Sequence, residues 1–327
     1  MNPLARGLLC VLLTVAATQA VAASACRRSP ATSAAVETIR QVMAQGRFIA
    51  YQPTSLQVSD GRLTQADPAS IRADLEVLRP RFDGLITYGA IHGAEQIPDI
   101  AAQLGFKAVI MGVWDVGDPT ALNNVIAAAR RQPDIVVGVS LGNERIFAGE
   151  ISHAELAAAI DKAHQLAPRI AIAASEPFHM FLQPQASELL GRLDLLLPIV
   201  HPVHQPWFRQ APVANAADFV GKVLDDLAAV YCGPLLVKET GIPTAPADKG
   251  FSATLQMGFY RALAKRVPAD RSRAFAYFSA FDAPWRSHDV TPTAGSYPEE
   301  AHWGLYTEKR VAKPVIDLIP PLRSINP

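Results

Sequence analysis

Short apolar runs alternate along the chain with segments in which apolar residues recur every three or four positions. Most of the runs are continuous rather than alternating, which is typical of strands that helices bury on both faces of a parallel sheet. This pattern predicts eight strands, at residues 48–51, 84–88, 108–113, 135–141, 170–174, 195–200, 235–238 and 274–281.

The segments between these strands have the period of amphipathic helices and carry end signals. Asp67-Pro68 supplies a cap and a first-turn proline. Ser152 and Glu155 have the spacing of a capping box. The predicted helices cover residues 71–78, 121–131, 152–166, 219–231 and 254–265.

Eight strands, with a helix after most of them, predict an α/β fold in the form of a single (β/α)8 barrel. A doubly wound sheet is the main alternative. It would usually place a glycine-rich phosphate turn after its first strand. The first strand here runs instead into Tyr51-Gln52-Pro53. No linker divides the chain, so residues 26–327 are expected to form one domain.

The N-terminus has the pattern of an export signal. Arg6 precedes an apolar run at residues 7–17, which is short for a membrane span, and small residues follow at 22–25. We therefore predict a signal peptide at residues 1–25, with cleavage after Ala23 or Ala25, and a secreted or periplasmic protein. An uncleaved membrane anchor is the alternative. No later segment is long and apolar enough to span a membrane.

Two cysteines remain after such a cleavage, Cys26 and Cys232. They could form a disulfide in an oxidising compartment. Cys26 also stands where bacterial lipoproteins are lipidated, although Ala23 occupies a position where leucine is usual. Both a disulfide and a lipid anchor at Cys26 stay open on the sequence.

The balance of charged residues argues against nucleic acid as a partner. The 327 residues contain 30 Lys and Arg against 30 Asp and Glu, so the formal net charge is zero. Nucleic-acid binders usually carry a basic excess, and this chain is not expected to bind nucleic acid. An uncharged polysaccharide is a compatible substrate. We expect a monomer that needs no cofactor and no metal.

Two glutamates follow predicted strands at matching positions. The fourth strand runs into Gly142-Asn143-Glu144, and the seventh runs into Glu239. Residues at the carboxyl ends of barrel strands face the active site. Glycoside cleavage needs two carboxyl groups on either side of the scissile bond. One glutamate alone would more often be structural, but two in matching positions indicate a catalytic pair.

Four ordered motifs between about Tyr51 and Tyr306 resemble glycoside hydrolase family 17, the β-1,3-glucanases. They are the stretches at residues 142–144 (GNE), 238–244 (KETGIPT), 281–286 (FDAPWR) and 300–306 (EAHWGLY). The resemblance implies that Glu144 is the general acid/base and Glu239 the nucleophile of a retaining mechanism. It also implies that Asn143 binds the sugar 2-hydroxyl and that Trp285 stacks on a sugar ring.

The sequence departs from the family pattern at three positions. Ile242 stands where tryptophan is usual after the seventh strand, and Ala283 stands where glutamate precedes the Pro-Trp of the eighth. Val203 follows His201-Pro202, where an aromatic residue is usual. These changes leave the catalytic pair intact and put the shape of the sugar subsites in question.

Four further strand-end residues are candidates for substrate binding. Tyr51, Tyr88 and Glu176 follow the first, second and fifth strands, and each could equally fill the barrel mouth or begin a helix. His201 could orient Glu239 or bind a sugar hydroxyl. His201 and His204 are three residues apart, but no acidic or cysteine partner at metal spacing accompanies them. Trp303 is as plausible in the core as in the cleft.

The predicted function is therefore a retaining glycoside hydrolase acting on a β-glucan, with β-1,3 linkages favoured by the resemblance. Its two carboxyl groups are expected about 5 Å apart. A β-1,3-glucan transglucosylase is the first alternative, because a sugar hydroxyl could replace water as acceptor. A non-catalytic glucan-binding protein is the second, although it would be expected to lack one of the glutamates.

Overall fold

The computed structural model describes residues 32–59, 62–289 and 297–322. Eight parallel strands follow one another in chain order around one sheet. They are β1 Phe48–Ala50, β2 Gly84–Ile86, β3 Ala108–Val113, β4 Val136–Leu141, β5 Ala171–Ala174, β6 Leu195–Leu196, β7 Leu235–Val237 and β8 Arg273–Phe275. A parallel bridge between Ile49 and Tyr277 brings the last strand back to the first. The predicted (β/α)8 barrel is confirmed.

One helix precedes the first strand, and the other helices follow strands and surround the barrel. They are α1 Ser33–Gln45, α2 Pro68–Leu78, α3 Ile97–Gln103, α4 Pro119–Arg131, α5 His153–Leu166, α6 Phe178–Phe181, α7 Ser187–Leu190, α8 Val213–Val230, α9 Ala253–Arg266 and α10 Arg286–Asp289. Both predicted end signals are confirmed: Asp67 accepts from Ser70 N, and Ser152 forms a capping box with Glu155. Helices α1 and α3, the four-residue helices α6, α7 and α10, and a small hairpin that pairs Val58–Ser59 with Arg62–Leu63 were not predicted.

Helix α1 closes the amino-terminal end of the barrel. Its apolar face, with Val36, Ile39 and Met43, packs on residues near the starts of the strands, including Ala108 and Ala171. Such small side chains leave room inside the barrel for a helix face. Because this end is filled with apolar side chains, a polar site can form only at the opposite end.

The predicted signal peptide, residues 1–25, and Cys26 lie outside the described residues. Cys232 is disulfide-bonded. Among the described residues, no helix is long and apolar enough to cross a membrane.

Candidate active site

A cleft of about 820 Å³ lies at the carboxyl ends of the strands. Residues that follow each of the eight strands contribute to its lining, which includes Asn143, Glu144 and Glu239. The two predicted catalytic glutamates therefore face the same space. This placement follows from the topology, since the carboxyl ends of all parallel barrel strands meet at one face.

The chain leaves β4 through a turn with two residues in the left-handed backbone region. Gly142 has φ 72° and Glu144 has φ 57°. The left-handed conformation costs a residue with a Cβ about 1–2 kcal/mol. Two backbone hydrogen bonds hold the turn: Glu144 N donates to Ser175 O at 3.0 Å, and Ala148 N donates to Glu144 O at 2.8 Å. Strain of this kind is common where a side chain must be aimed into an active site.

Glu176 supports this turn from below and does not reach the cleft. Its side chain is fully buried. Oε1 accepts from Ile146 N at 2.9 Å, and Oε2 accepts from Phe147 N at 3.1 Å. The expectation that Glu176 binds substrate is therefore corrected, because both carboxylate oxygens are used by the loop that carries Glu144.

Glu239 lies deeper than Glu144, with 6% of its surface exposed. Its Oε2 is 3.4 Å from His201 Nε2, and its Oε1 is 3.8 Å from Lys238 Nζ. Within the described part of the chain, Oε1 has no hydrogen-bond partner. One oxygen of the carboxylate is therefore held by His201, and the other has no hydrogen-bond partner among the described residues.

The two carboxyl groups have opposite pKa shifts. Burial and the negative charge of Glu239 raise the pKa of Glu144 to about 7. Burial acts to raise the pKa of Glu239 too, but the hydrogen bond from His201 and the charge of Lys238 outweigh it and hold that pKa below its usual value. One glutamate is therefore suited to donate a proton while the other is ionised, which is the division of roles that glycoside cleavage requires.

Asn143 lies beside Glu144, and its side-chain orientation is fixed. Its Oδ1 accepts from Lys238 Nζ at 2.5 Å and from Ser175 Oγ at 3.3 Å. Because the oxygen is engaged on the protein side, the Nδ2 hydrogens are left for a ligand in the cleft. Lys238 belongs to the motif at residues 238–244, but nothing in the sequence predicted this contact with Asn143.

Of the remaining predicted residues, Tyr88, His201 and Trp285 line the cleft and Tyr51 does not. The Tyr88 hydroxyl is buried without a hydrogen-bond partner among the described residues, so a substrate hydroxyl could satisfy it. Tyr51 is fully buried, and its hydroxyl donates to Asp74 Oδ2 at 2.9 Å. That bond ties β1 to α2, which corrects the expectation that Tyr51 contacts the sugar.

The second tryptophan, Trp303, belongs to both the core and the cleft. It is 2% exposed and lines the cleft floor with its ring 4.8 Å from that of His201. Its Nε1 donates to Glu300 Oε2 at 3.1 Å.

Burial and the neighbouring His201 lower the pKa of His204 to about 4. No group of three side chains able to hold a metal ion occurs in the described ranges.

The cleft also has exposed aromatic side chains that were not predicted from the sequence. Trp114, Phe147 and Tyr297 are 48%, 57% and 37% exposed, and all three line it. They are also the only Trp, Phe or Tyr residues among the large hydrophobic side chains exposed in the described part of the chain. Exposed aromatic faces gathered in one cleft indicate a binding surface. Trp114 comes directly after a predicted strand, and that position could have identified it.

The departures at the seventh and eighth strands lie away from the main cleft. Ile242 is fully buried, and its backbone N–H donates to the Tyr277 hydroxyl at 3.1 Å. Ala283 lines a neighbouring cavity of about 80 Å³ instead. Trp285 lies between the two spaces and lines both. Neither Ile242 nor Ala283 lines the cleft that contains Glu144 and Glu239.

A family model described as the BtgE/BtgC glycoside hydrolase domain matches residues 49–304. The chain belongs to this family of glycoside hydrolases. The matched range contains both glutamates and all of the barrel strands except the first residue of β1. The resemblance to glycoside hydrolase family 17 is confirmed, and the protein is an enzyme of the glycoside hydrolase class.

Named relatives agree with this assignment. The chain is 28% identical over 261 residues to a glucan 1,3-beta-glucosidase of Arthroderma benhamiae, covering 76% of this chain and 84% of that protein. The fold resembles that of a glycoside hydrolase family 17 beta-1,3-glucanosyltransferase from Rhizomucor miehei, with TM-score 0.62, 23% identity, and 83% and 96% of the two chains covered. A beta-D-glucuronidase from Dictyoglomus thermophilum shares the barrel at 14% identity and TM-score 0.60, covering 84% of this chain and 49% of that one.

Proposed function

We propose that this glycoside hydrolase cleaves β-1,3-linked glucan with retention of configuration. The observation that carries the proposal is the pair of glutamates in one cleft, with the pKa of Glu144 raised and that of Glu239 lowered. The linkage is supported by the glucan 1,3-beta-glucosidase relative, and a glucan as ligand by the Rhizomucor miehei enzyme, which has been solved in complex with laminaritriose.

In the first step, Glu239 attacks the anomeric carbon while Glu144 protonates the departing glycosidic oxygen. This bond exchange leaves a glycosyl ester on Glu239. The Oε1 atom of Glu239 accepts no hydrogen bond from the described residues, which leaves it available for the attack. The Nδ2 group of Asn143 donates to the 2-hydroxyl of the reacting sugar, a bond that strengthens in the transition state.

In the second step, Glu144 acts as a base and takes the proton of the incoming hydroxyl group. With water as acceptor the enzyme hydrolyses glucan. With a sugar hydroxyl as acceptor it transfers the glucosyl unit, and the same residues then serve a transglucosylase. The ring of Phe147, three residues after Glu144, is exposed in the cleft. It supports the transglucosylase alternative, because an acceptor sugar can stack on it near the base.

Product analysis tests the proposal. Laminarihexaose should be cleaved, and nuclear magnetic resonance at early times should show the β-anomer of the new reducing end first. Cellohexaose, with β-1,4 linkages, should be cleaved much more slowly. Products longer than the substrate would assign transfer. An α-anomer at early times would contradict the retaining mechanism, and equal cleavage of both hexaoses would contradict the linkage.

We also propose that the enzyme is exported and works as a monomer. Arg6 and the apolar run at residues 7–17 support export, as does a disulfide-bonded Cys232. In the described residues, the large exposed hydrophobic side chains outside the cleft are four aliphatic ones on separate segments: Leu166, Leu182, Val230 and Val311. Mass spectrometry of the native N-terminus tests cleavage and distinguishes a lipidated Cys26 from a disulfide-bonded one. Light scattering tests the monomer.

A further inference from the structure

A buried lysine joins the two catalytic strand ends. Lys238 immediately precedes Glu239, and only 1% of its surface is exposed. Its Nζ donates to Asn143 Oδ1 at 2.5 Å, lies 3.8 Å from Glu239 Oε1, and sits 4.3 Å from the centre of the Tyr88 ring. It does not line the cleft, so it acts on substrate only through its neighbours.

A buried ammonium group is costly unless charges and acceptors surround it. Here the surrounding groups are the machinery of the reaction rather than a separate structural ion pair. The Asn143 amide and the Glu239 carboxylate both approach the same Nζ, although their strands lie on different sides of the barrel. An apolar side chain could fill the same space without the free-energy cost of burying a charge. The presence of a lysine therefore indicates that its charge has a role at the active site.

We propose that Lys238 is a positioning residue that sets how the enzyme recognises the 2-hydroxyl group of the reacting sugar. By donating to Oδ1, it holds the Asn143 amide so that Nδ2 faces the sugar. It also supplies a positive charge beside the ionised nucleophile. The inference rests on the proposed function, because it assigns the 2-hydroxyl to Asn143.

Other contacts at Asn143 do not replace this one. Ser175 Oγ also donates to Oδ1, but at 3.3 Å and without a charge. Hydrogen bonds from a charged donor are shorter and about twice as strong as neutral ones. Without Lys238, the amide could rotate and present its oxygen to the 2-hydroxyl, and the charge beside Glu239 would be lost as well.

The test compares two substrates in the Lys238→Met variant. One is 2,4-dinitrophenyl β-laminaribioside, and the other is its analogue without the 2-hydroxyl on the sugar that carries the leaving group. We expect the ratio of their kcat/KM values to fall about tenfold in Lys238→Met, since the lost bond acts only on the 2-hydroxyl substrate. Lys238→Arg keeps a charged donor and should hold the ratio within about threefold of the original.

Lys313→Met is the matched control. Lys313 is a partly buried lysine that also pairs with a carboxylate: its Nζ donates to Asp282 Oδ1 at 2.7 Å and to Thr244 Oγ1 at 2.8 Å. It does not line the cleft of the glutamates. Its loss should lower the melting temperature and leave the substrate ratio unchanged. If Lys238→Met slowed both substrates equally, as a merely destabilising change would, the inference would be overturned. It would also be overturned if the ratio of the two kcat/KM values fell as far in Lys238→Arg as in Lys238→Met.

The pH profile gives a second readout. Removing the charge of Lys238 should raise the pKa of Glu239, so the acid limb of kcat/KM should move up by on the order of one pH unit. The titratable or charged groups that face this position come from six strand ends: Tyr88, Glu144, Glu176, His201, Glu239 and Arg286. An unmoved acid limb would contradict the electrostatic part of the inference. If the original enzyme cleaved neither substrate, the proposed function itself would fail.

Discussion

The turns after β4 and β7 each present a glutamate, yet they are built in opposite ways. The β4 turn has left-handed backbone at Gly142 and Glu144 and extends to the exposed ring of Phe147. The β7 turn is buried throughout, with Thr240 and Ile242 both fully covered. The first is held by the backbone and by Glu176, and the second by packing and by His201 and Lys238.

This difference explains why the pKa values of the two glutamate side chains are shifted in opposite directions. For Glu144, burial and the negative charge of Glu239 outweigh the positive charges of His201 and Lys238, and its pKa rises to about 7. Glu239 is more buried but has a cation and a histidine within reach, so its pKa falls. The lesson is that burial alone does not set the sign of a pKa shift, because a positioned partner can reverse it.

The largest effect is expected from Glu239→Ala. Almost all activity on β-1,3-glucan should be lost, because no glycosyl ester can form. Azide should restore part of the turnover on an activated aryl glycoside, and the glycosyl azide should carry the inverted configuration. Glu188→Ala removes an exposed glutamate that pairs with Arg192 and should leave the rate unchanged. A retained-configuration azide product would mean that the two roles are exchanged.

Glu144→Ala should slow glucan cleavage by about 10²–10⁴-fold, the usual range for a lost general acid. A 2,4-dinitrophenyl glycoside needs no protonation of its leaving group, so its first step should survive. The glycosyl ester on Glu239 should then accumulate, since the base for its breakdown is missing, and intact-protein mass spectrometry can detect it. If kcat/KM fell by the same factor on glucan and on the 2,4-dinitrophenyl glycoside, the acid role of Glu144 would be contradicted.

The pH profile sharpens the contrast between the two turns. Activity needs Glu144 protonated and Glu239 ionised, so kcat/KM on glucan should fall about tenfold per pH unit above pH 7. It should persist to pH values below the usual pKa of a glutamate, about 4.3, because the pKa of Glu239 is lowered. The alkaline limb should vanish for the 2,4-dinitrophenyl substrate. A limb that persists there would have to be assigned to another group.

The smallest effect is expected from Phe147→Ala, at the tip of the β4 turn. The loss of a stacking surface should raise KM for long glucans by about three- to tenfold and reduce transfer to added laminaribiose. Leu166→Ala removes an exposed side chain outside the cleft and is the control. If KM and transfer both stayed unchanged, the ring would have no part in acceptor binding.

The sequence alone located both glutamates and the barrel that carries them. Their positions follow from local pattern: continuous apolar strands alternate with helices, and a carboxylate stands directly after each of two strands. The four ordered motifs then supplied the family and the roles of Glu144 and Glu239. Tyr88 and His201 were found from their positions after strands, and Trp285 from the family resemblance.

Only the tertiary structure could decide which strand-end residues face the cleft and which charges meet. Tyr51 and Glu176 follow strands as Tyr88 does, but Tyr51 binds Asp74 and Glu176 binds the loop at Phe147. The contact between Lys238 and Asn143 joins residues 95 positions apart in the chain. Side-chain direction and burial depend on partners far away in sequence. The pKa of Glu144 is raised by burial and by Glu239, 95 positions away, and the pKa of Glu239 is lowered by His201 as well as by its chain neighbour Lys238.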